Sequence, residues 1–122
     1  MKQYTYKVQT IKLIELGFPK PSRIVAIGGF LPKGTLDRYA SYKDDFDSVT
    51  CYEGYSIGEL IEFLPKRVGD AQIDFFAGVG KWFVRYEDRH EVPPITVKQW
   101  HSRELIDSLF DACVTLKEEG VI

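Results

Sequence analysis

His90 stands in the run Glu87-Asp88-Arg89-His90-Glu91. An imidazole beside carboxylates is the pairing that general acid–base catalysis near neutral pH uses. One reading is therefore a small enzyme working through His90 with Glu91 or Asp88. Against it, neighbours on a charged loop ahead of Pro93-Pro94 need not converge in space. Cys51 with His90 or His101 would form a thiolate–imidazole pair, yet no nucleophile signature surrounds Cys51. The two His and two Cys lack the close paired spacing of a structural zinc site. Asp44, Asp45 and Asp47 open like a calcium loop, but Val49 occupies a ligand position and the required Gly is missing. This cluster reads as a solvated turn. Gly28-Gly29 is not followed by Gly-Lys-Ser/Thr, and Gly78-x-Gly80 lacks its third Gly and a following helix, so neither cradles phosphate. The expectation is no catalytic residue, no metal and no cofactor.

Tyr39, Tyr42, Tyr52 and Tyr55 crowd around the acidic cluster. Tyrosine joins apolar area to a polar tip and is enriched at interfaces. Tyr39, Tyr42 and Lys43 are the expected partner-binding residues. The expected partner is another protein, with a homo-oligomer as a further possibility.

Charge is sorted along the chain. Residues 1–43 carry eight Lys/Arg against two acids, while residues 44–122 carry eight against sixteen. The net charge is −2. Such a split either supplies a basic arm for an anionic partner or lets two parts of one fold attract each other. We favour the second, because a chain this short usually folds as one unit; Lys2, Lys7 and Lys12, five apart, do not align on one helix face as a basic arm for nucleic acid would. A nucleic-acid accessory protein using the basic N-terminal third is the alternative.

A single domain over 1–122 suits the length, and 44% hydrophobic with 28% charged residues is ordinary for a globular chain. Aromatic residues at 14% favour a well-packed core or an adhesive surface. Met1-Lys2-Gln3-Tyr4 leads into polar sequence, and no apolar run reaches the roughly 20 residues that span a bilayer. The expectation is a cytoplasmic protein with no membrane partner and reduced, buried thiols at Cys51 and Cys113.

The elements that would position these residues are clearest at the C-terminus. Ser102 reads as a helix cap, followed by an apolar stripe at Leu105, Ile106, Leu109, Phe110, Ala112, Cys113 and Leu116. Gly120 and Val121 fit a Schellman ending. Ser56-Ile57-Gly58-Glu59 reads as a capping box for a short helix that buries Ile57, Leu60, Ile61 and Leu64 and stops before Pro65. Strands are expected over Gln72–Ala77, Lys81–Glu87 and Ile95–Gln99, the first two joined through Gly78-Val79-Gly80. Phe83 breaks the polar face of its strand, so both faces of the sheet are partly covered. His101 falls just outside the helix cap.

The N-terminal part is weaker in signal. Tyr4, Tyr6 and Val8 alternate like a strand. Ile11 and Ile14 lead to a Gly stop at Leu16-Gly17-Phe18-Pro19. Ile24–Phe30 reads as one buried strand, Leu36–Lys43 as a short helix and Val49–Tyr52 as a strand. The fold class is α+β: a small antiparallel sheet packed by two or three helices, with α-β-β-β-α order in the C-terminal half.

That order is similar to a double-stranded-RNA-binding domain. Here the last helix opens His101-Ser102-Arg103-Glu104 within an acidic region, which repels phosphate. Trp82-x-Val84-x-Tyr86, the Ser102 helix with its Lys117-Glu118-Glu119-Gly120-Val121-Ile122 end, and Leu13-Ile14-Glu15-Leu16-Gly17-Phe18-Pro19 resemble a class of small bacterial proteins encoded by prophages and mobile elements. The resemblance touches about half the chain and brings no site residues with it. The resemblance implies a protein of a prophage or other mobile genetic element; with no nucleophile, metal or phosphate motif found, the expected function is a non-enzymatic binding or accessory protein of such an element.

Overall fold

The computed structural model describes residues 2–26, 29–32 and 51–122. Its α+β fold falls into two compact units, Tyr4–Ser56 and Met1–Gln3 with Ile57–Ile122.

In the first unit, α1 (Lys7–Glu15) is followed by β1 (Arg23–Ala26), β2 (Gly29–Pro32) and β3 (Cys51–Gly54). The three strands form an antiparallel sheet in the order β2-β1-β3. The expected single strand over Ile24–Phe30 is instead an antiparallel pair, with Ala26 opposite Gly29 and Val25 opposite Phe30. The apolar run concealed the reversal because Val, Ile and Phe suit both strands. The expected strand at Tyr4–Val8 reduces to one bridge between Tyr4 and Ser56.

Helix takes over at Lys7. Gln9 Oε1 accepts the Tyr6 backbone N–H at 2.8 Å, holding the entry to the helix. Its end is the predicted Gly stop: Gly17 has φ 97, and the Phe18 N–H reaches the Leu13 carbonyl at 3.1 Å. Buried Thr5 links the start of the unit to its end. Its N–H donates to the Tyr55 carbonyl at 3.0 Å, and its Oγ1 accepts the Tyr55 N–H at 3.0 Å. Leu36–Lys43 and Val49–Thr50 lie outside the described residues.

The second unit holds α2 (Ile57–Phe63), β4 (Arg67–Val68), β5 (Ala71–Gly78), β6 (Lys81–Asp88), β7 (Ile95–Ser102) and α3 (Leu105–Glu118). Its antiparallel sheet runs β4-β5-β6-β7, so the predicted strands gain the two-residue β4. Lys81 pairs with Gly78, and Tyr86 with Ile73. The turn between β5 and β6 differs in one respect from the expectation. Its positive φ values belong to Val79 (52) and Gly80 (71), not to the two glycines.

α3 packs on β6 and β7, and α2 packs on α3. Leu109, Leu116, Ile106, Cys113, Val84 and Tyr86 are fully buried in this core. Polar groups inside it are paired. Tyr86 Oη donates to the Pro65 carbonyl at 2.7 Å. Ser108 Oγ donates to the Trp82 carbonyl at 2.8 Å, and Trp100 Nε1 donates to Thr115 Oγ1 at 3.1 Å.

Ser102 is not a helix cap. The β6–β7 ladder continues until Ser102 stands opposite Trp82, and the N-cap position falls to Glu104 at φ −113, ψ 136. Interstrand pairing outcompetes the cap. Lys2 is tied to the acids at the helix start, its backbone N–H donating to Glu104 Oε2 at 2.8 Å and its Nζ to Asp107 Oδ1 at 2.7 Å. This cation of the basic third is thus neutralised by an acid of the acidic part. The far end of α3 keeps the predicted Schellman form. Gly120 has φ 76, and the Val121 N–H meets the Leu116 carbonyl at 2.9 Å.

Candidate functional site

Side chains alternate across a strand, so the β5–β6–β7 register divides this sheet into two faces. Val84 and Tyr86 point toward α3 and are buried. The residues between them, Phe83 and Arg85, share the opposite face with Phe76 and Asp74 on β5 and with His101 and Gln99 on β7. Within this unit no helix packs there.

That face carries an ordered ladder. The Phe76 and Phe83 rings stack with centroids 4.8 Å apart and planes 4° from parallel. The Arg85 guanidinium carbon lies 4.5 Å from the Phe76 centroid, and the His101 ring lies 5.6 Å from Phe83. Phe76 thus gives ring surface to a neighbouring aromatic and to a cation, both favourable contacts. Carboxylates fix the cation. Arg85 reaches Asp74 at 3.1 Å and Glu87 at 2.8 Å. Arg89 approaches the same two acids at 3.6 and 3.8 Å. Arg85 Nε is buried without a hydrogen-bond partner among the described residues. A guanidinium held by carboxylates beside half-buried rings presents a preordered polar and apolar surface.

The sequence pointed toward this site only through Phe83, which interrupts the polar alternation of β6. Phe76, Arg85 and His101 were missed because their convergence depends on strand register. His101 sits on β7 rather than beside a helix cap, since the ladder extends past it. Tyr39, Tyr42 and Lys43, the predicted partner-binding residues, lie outside the described residues, as do Asp44, Asp45 and Asp47.

Asp88 and His90 do meet. Asp88 Oδ1 accepts the His90 backbone N–H at 2.9 Å and lies 3.1 Å from Nδ1. This is a local turn contact, with the His90 side chain 75% exposed. Glu91 is exposed beside it. Cys113 is buried, and its thiol donates to the Leu60 carbonyl at 3.7 Å; burial pushes its pKa up to about 12. Burial also raises the Tyr86 hydroxyl. Asp111 is raised by burial and then by Asp107.

Among the described residues no three His, Cys, Asp or Glu are grouped to hold a metal. No helix there is long and apolar enough to cross a membrane. No protein-family model, curated protein or solved structure matches the chain.

Proposed function

We propose that this chain is a non-enzymatic binding protein whose partner is another protein, and that the Arg85–Phe76–Phe83–His101 face makes the contact. The observation that supports this reading is the ladder itself. Arg and aromatic side chains are the residue types that dominate protein hot spots. Here they are ordered in advance, which lowers the entropy lost on docking. Phe76 already spends ring surface on Phe83 and Arg85, so little is left for stacking a nucleobase. Asp74 and Glu87 on the same face oppose phosphate. The alternative enzyme centred on His90 with Asp88 or Glu91 has only an exposed turn to work from. Service to a prophage or other mobile element is proposed from the resemblance in the hairpin and the last helix.

The test compares wild type and Phe83→Ala, both shown to be folded by circular dichroism, as baits in a lysate of the native host. Bound proteins are quantified by mass spectrometry. The expected result is a defined protein that wild type retains and Phe83→Ala loses by at least about tenfold, consistent with a hot spot of 1.4 kcal/mol or more. Equal capture by both baits refutes the assignment of this face. Micromolar, steeply salt-sensitive binding of nonspecific DNA would favour the basic N-terminal third as a nucleic-acid surface instead.

A further inference from the structure

α3 covers β6 and β7, and among the described residues of this unit no helix covers the same face of the sheet over β5. Pro65 follows α2 closely, and β4 runs for only two residues, so neither element extends across that edge. The result is an open trough of about 730 Å³ between α2 and β4–β5. Its floor is apolar, made by Ile61, Leu64, Ile73 and Phe75. The expected burial of Ile61 is not met: it is 37% exposed, because it faces this trough rather than the core. Lys66 and Arg67 stand in the lining with Glu62. Neither cation forms an ion pair among the described residues, whereas Lys2, Arg85, Arg89 and Lys98 all do.

We propose that this trough binds a single-chain amphiphilic anion, an alkyl chain ending in a carboxylate. The volume lies within the roughly 300–1,000 Å³ of small-molecule sites. The chain lies along the four apolar side chains, and the head group meets Lys66 and Arg67. A guanidinium matches a carboxylate with two parallel hydrogen bonds. Two cations against the one carboxylate of Glu62 leave the trough positive, although the whole chain carries −2. An uncharged or cationic amphiphile gains nothing from that excess. This inference is independent of the ladder, which lies on the other face of the sheet.

The probe is dodecanoate below its micelle concentration, titrated into the full chain by calorimetry while circular dichroism monitors the fold. Saturable binding of one equivalent is expected. Decanoate, two methylenes shorter, should bind about fifteenfold more weakly, at about fourfold per methylene. Dodecanol should bind at least about tenfold more weakly than dodecanoate. The double variant Lys66→Glu, Arg67→Glu changes exposed side chains and should fold normally. It should lose at least about tenfold in dodecanoate affinity. Phe75→Ala gives a second reading through the floor, with a similar loss. Wild-type affinity in the charge-reversed variant overturns the proposal, as does uptake that never saturates or that unfolds the protein. Binding of a Leu- and Glu-rich amphipathic helical peptide without binding of dodecanoate overturns it in favour of a protein segment.

Discussion

Leu109→Ala tests the packing on which the sheet faces depend. Leu109 is fully buried on α3, with Leu105, Ala112, Cys113 and Leu116 buried around it. The substitution removes the equivalent of three methylenes, or about 2.4 kcal/mol of transfer free energy at about 0.8 kcal/mol each. A residual void of about 50 Å³ adds about 1.2 kcal/mol. The expected loss is therefore about 3–4 kcal/mol, a large part of the roughly 5–15 kcal/mol that holds a domain together. The assay is urea denaturation followed by tryptophan fluorescence. Both tryptophans of the chain, Trp82 and Trp100, lie on β6 and β7, on which α3 packs. With a slope of about 1–3 kcal/mol per molar urea, the midpoint should fall by roughly 1–4 M. Val92→Ala, at a position 96% exposed, should stay within about 0.5 kcal/mol of wild type. A loss below about 0.5 kcal/mol for Leu109→Ala, at unchanged slope, would refute the packing of α3 on this sheet.

Three further outcomes are expected. Ser108→Ala should cost about 1 kcal/mol, since it removes the hydrogen bond from a buried hydroxyl to the Trp82 carbonyl, whereas Ser102→Ala should cost less than about 0.5 kcal/mol because it caps nothing; equal costs by urea titration would contradict the strand assignment of Ser102. Val79→Asn should raise stability by about 0.5–1 kcal/mol in thermal unfolding, because a β-branched residue at φ 52 is strained and Asn tolerates that region; a lower melting temperature would count against this turn. Stability should fall as pH rises from about 9 toward 12. There the unfolded chain releases the Cys113 proton that the folded state keeps, at up to about 1.4 kcal/mol per pH unit, with Tyr86 adding in the same direction above about pH 10. Cys113→Ala should flatten the pH 9–10 part of that slope, and an unchanged slope would show that the thiol is not held protonated.

Much of the second unit was legible residue by residue, because its signals are local. Val84 and Tyr86 alternate with period two. Leu105, Leu109, Ala112 and Leu116 recur at helical spacing. Pro65 limits α2, and Gly120 ends α3 with backbone bonds that need only its positive φ. The α+β order followed from these.

What failed was competition between partners distant in sequence. Ser102 satisfies every local rule for a cap, yet β6 offers it a ladder position opposite Trp82, and the cap moves to Glu104. Ile24–Phe30 is as good for two strands as for one, and only pairing across the sheet decides. Ile61 keeps helical phase with Leu60 and Leu64, but among the described residues of this unit no element covers β5 at that edge, and it lines a trough.

The candidate site follows the same logic. Phe76, Phe83, Arg85 and His101 come from three strands, and a one-residue slip in either pairing would scatter them to opposite faces. In the second unit the sequence by itself determined the two helices, the three long strands and most of the residues that are buried. Register and packing alone decided that an Arg, two Phe and a His form one ladder, and that Lys66 and Arg67 flank an apolar floor. Those positions depend on interstrand hydrogen bonding and on where α3 stops covering the sheet, and no spacing within a single segment encodes either.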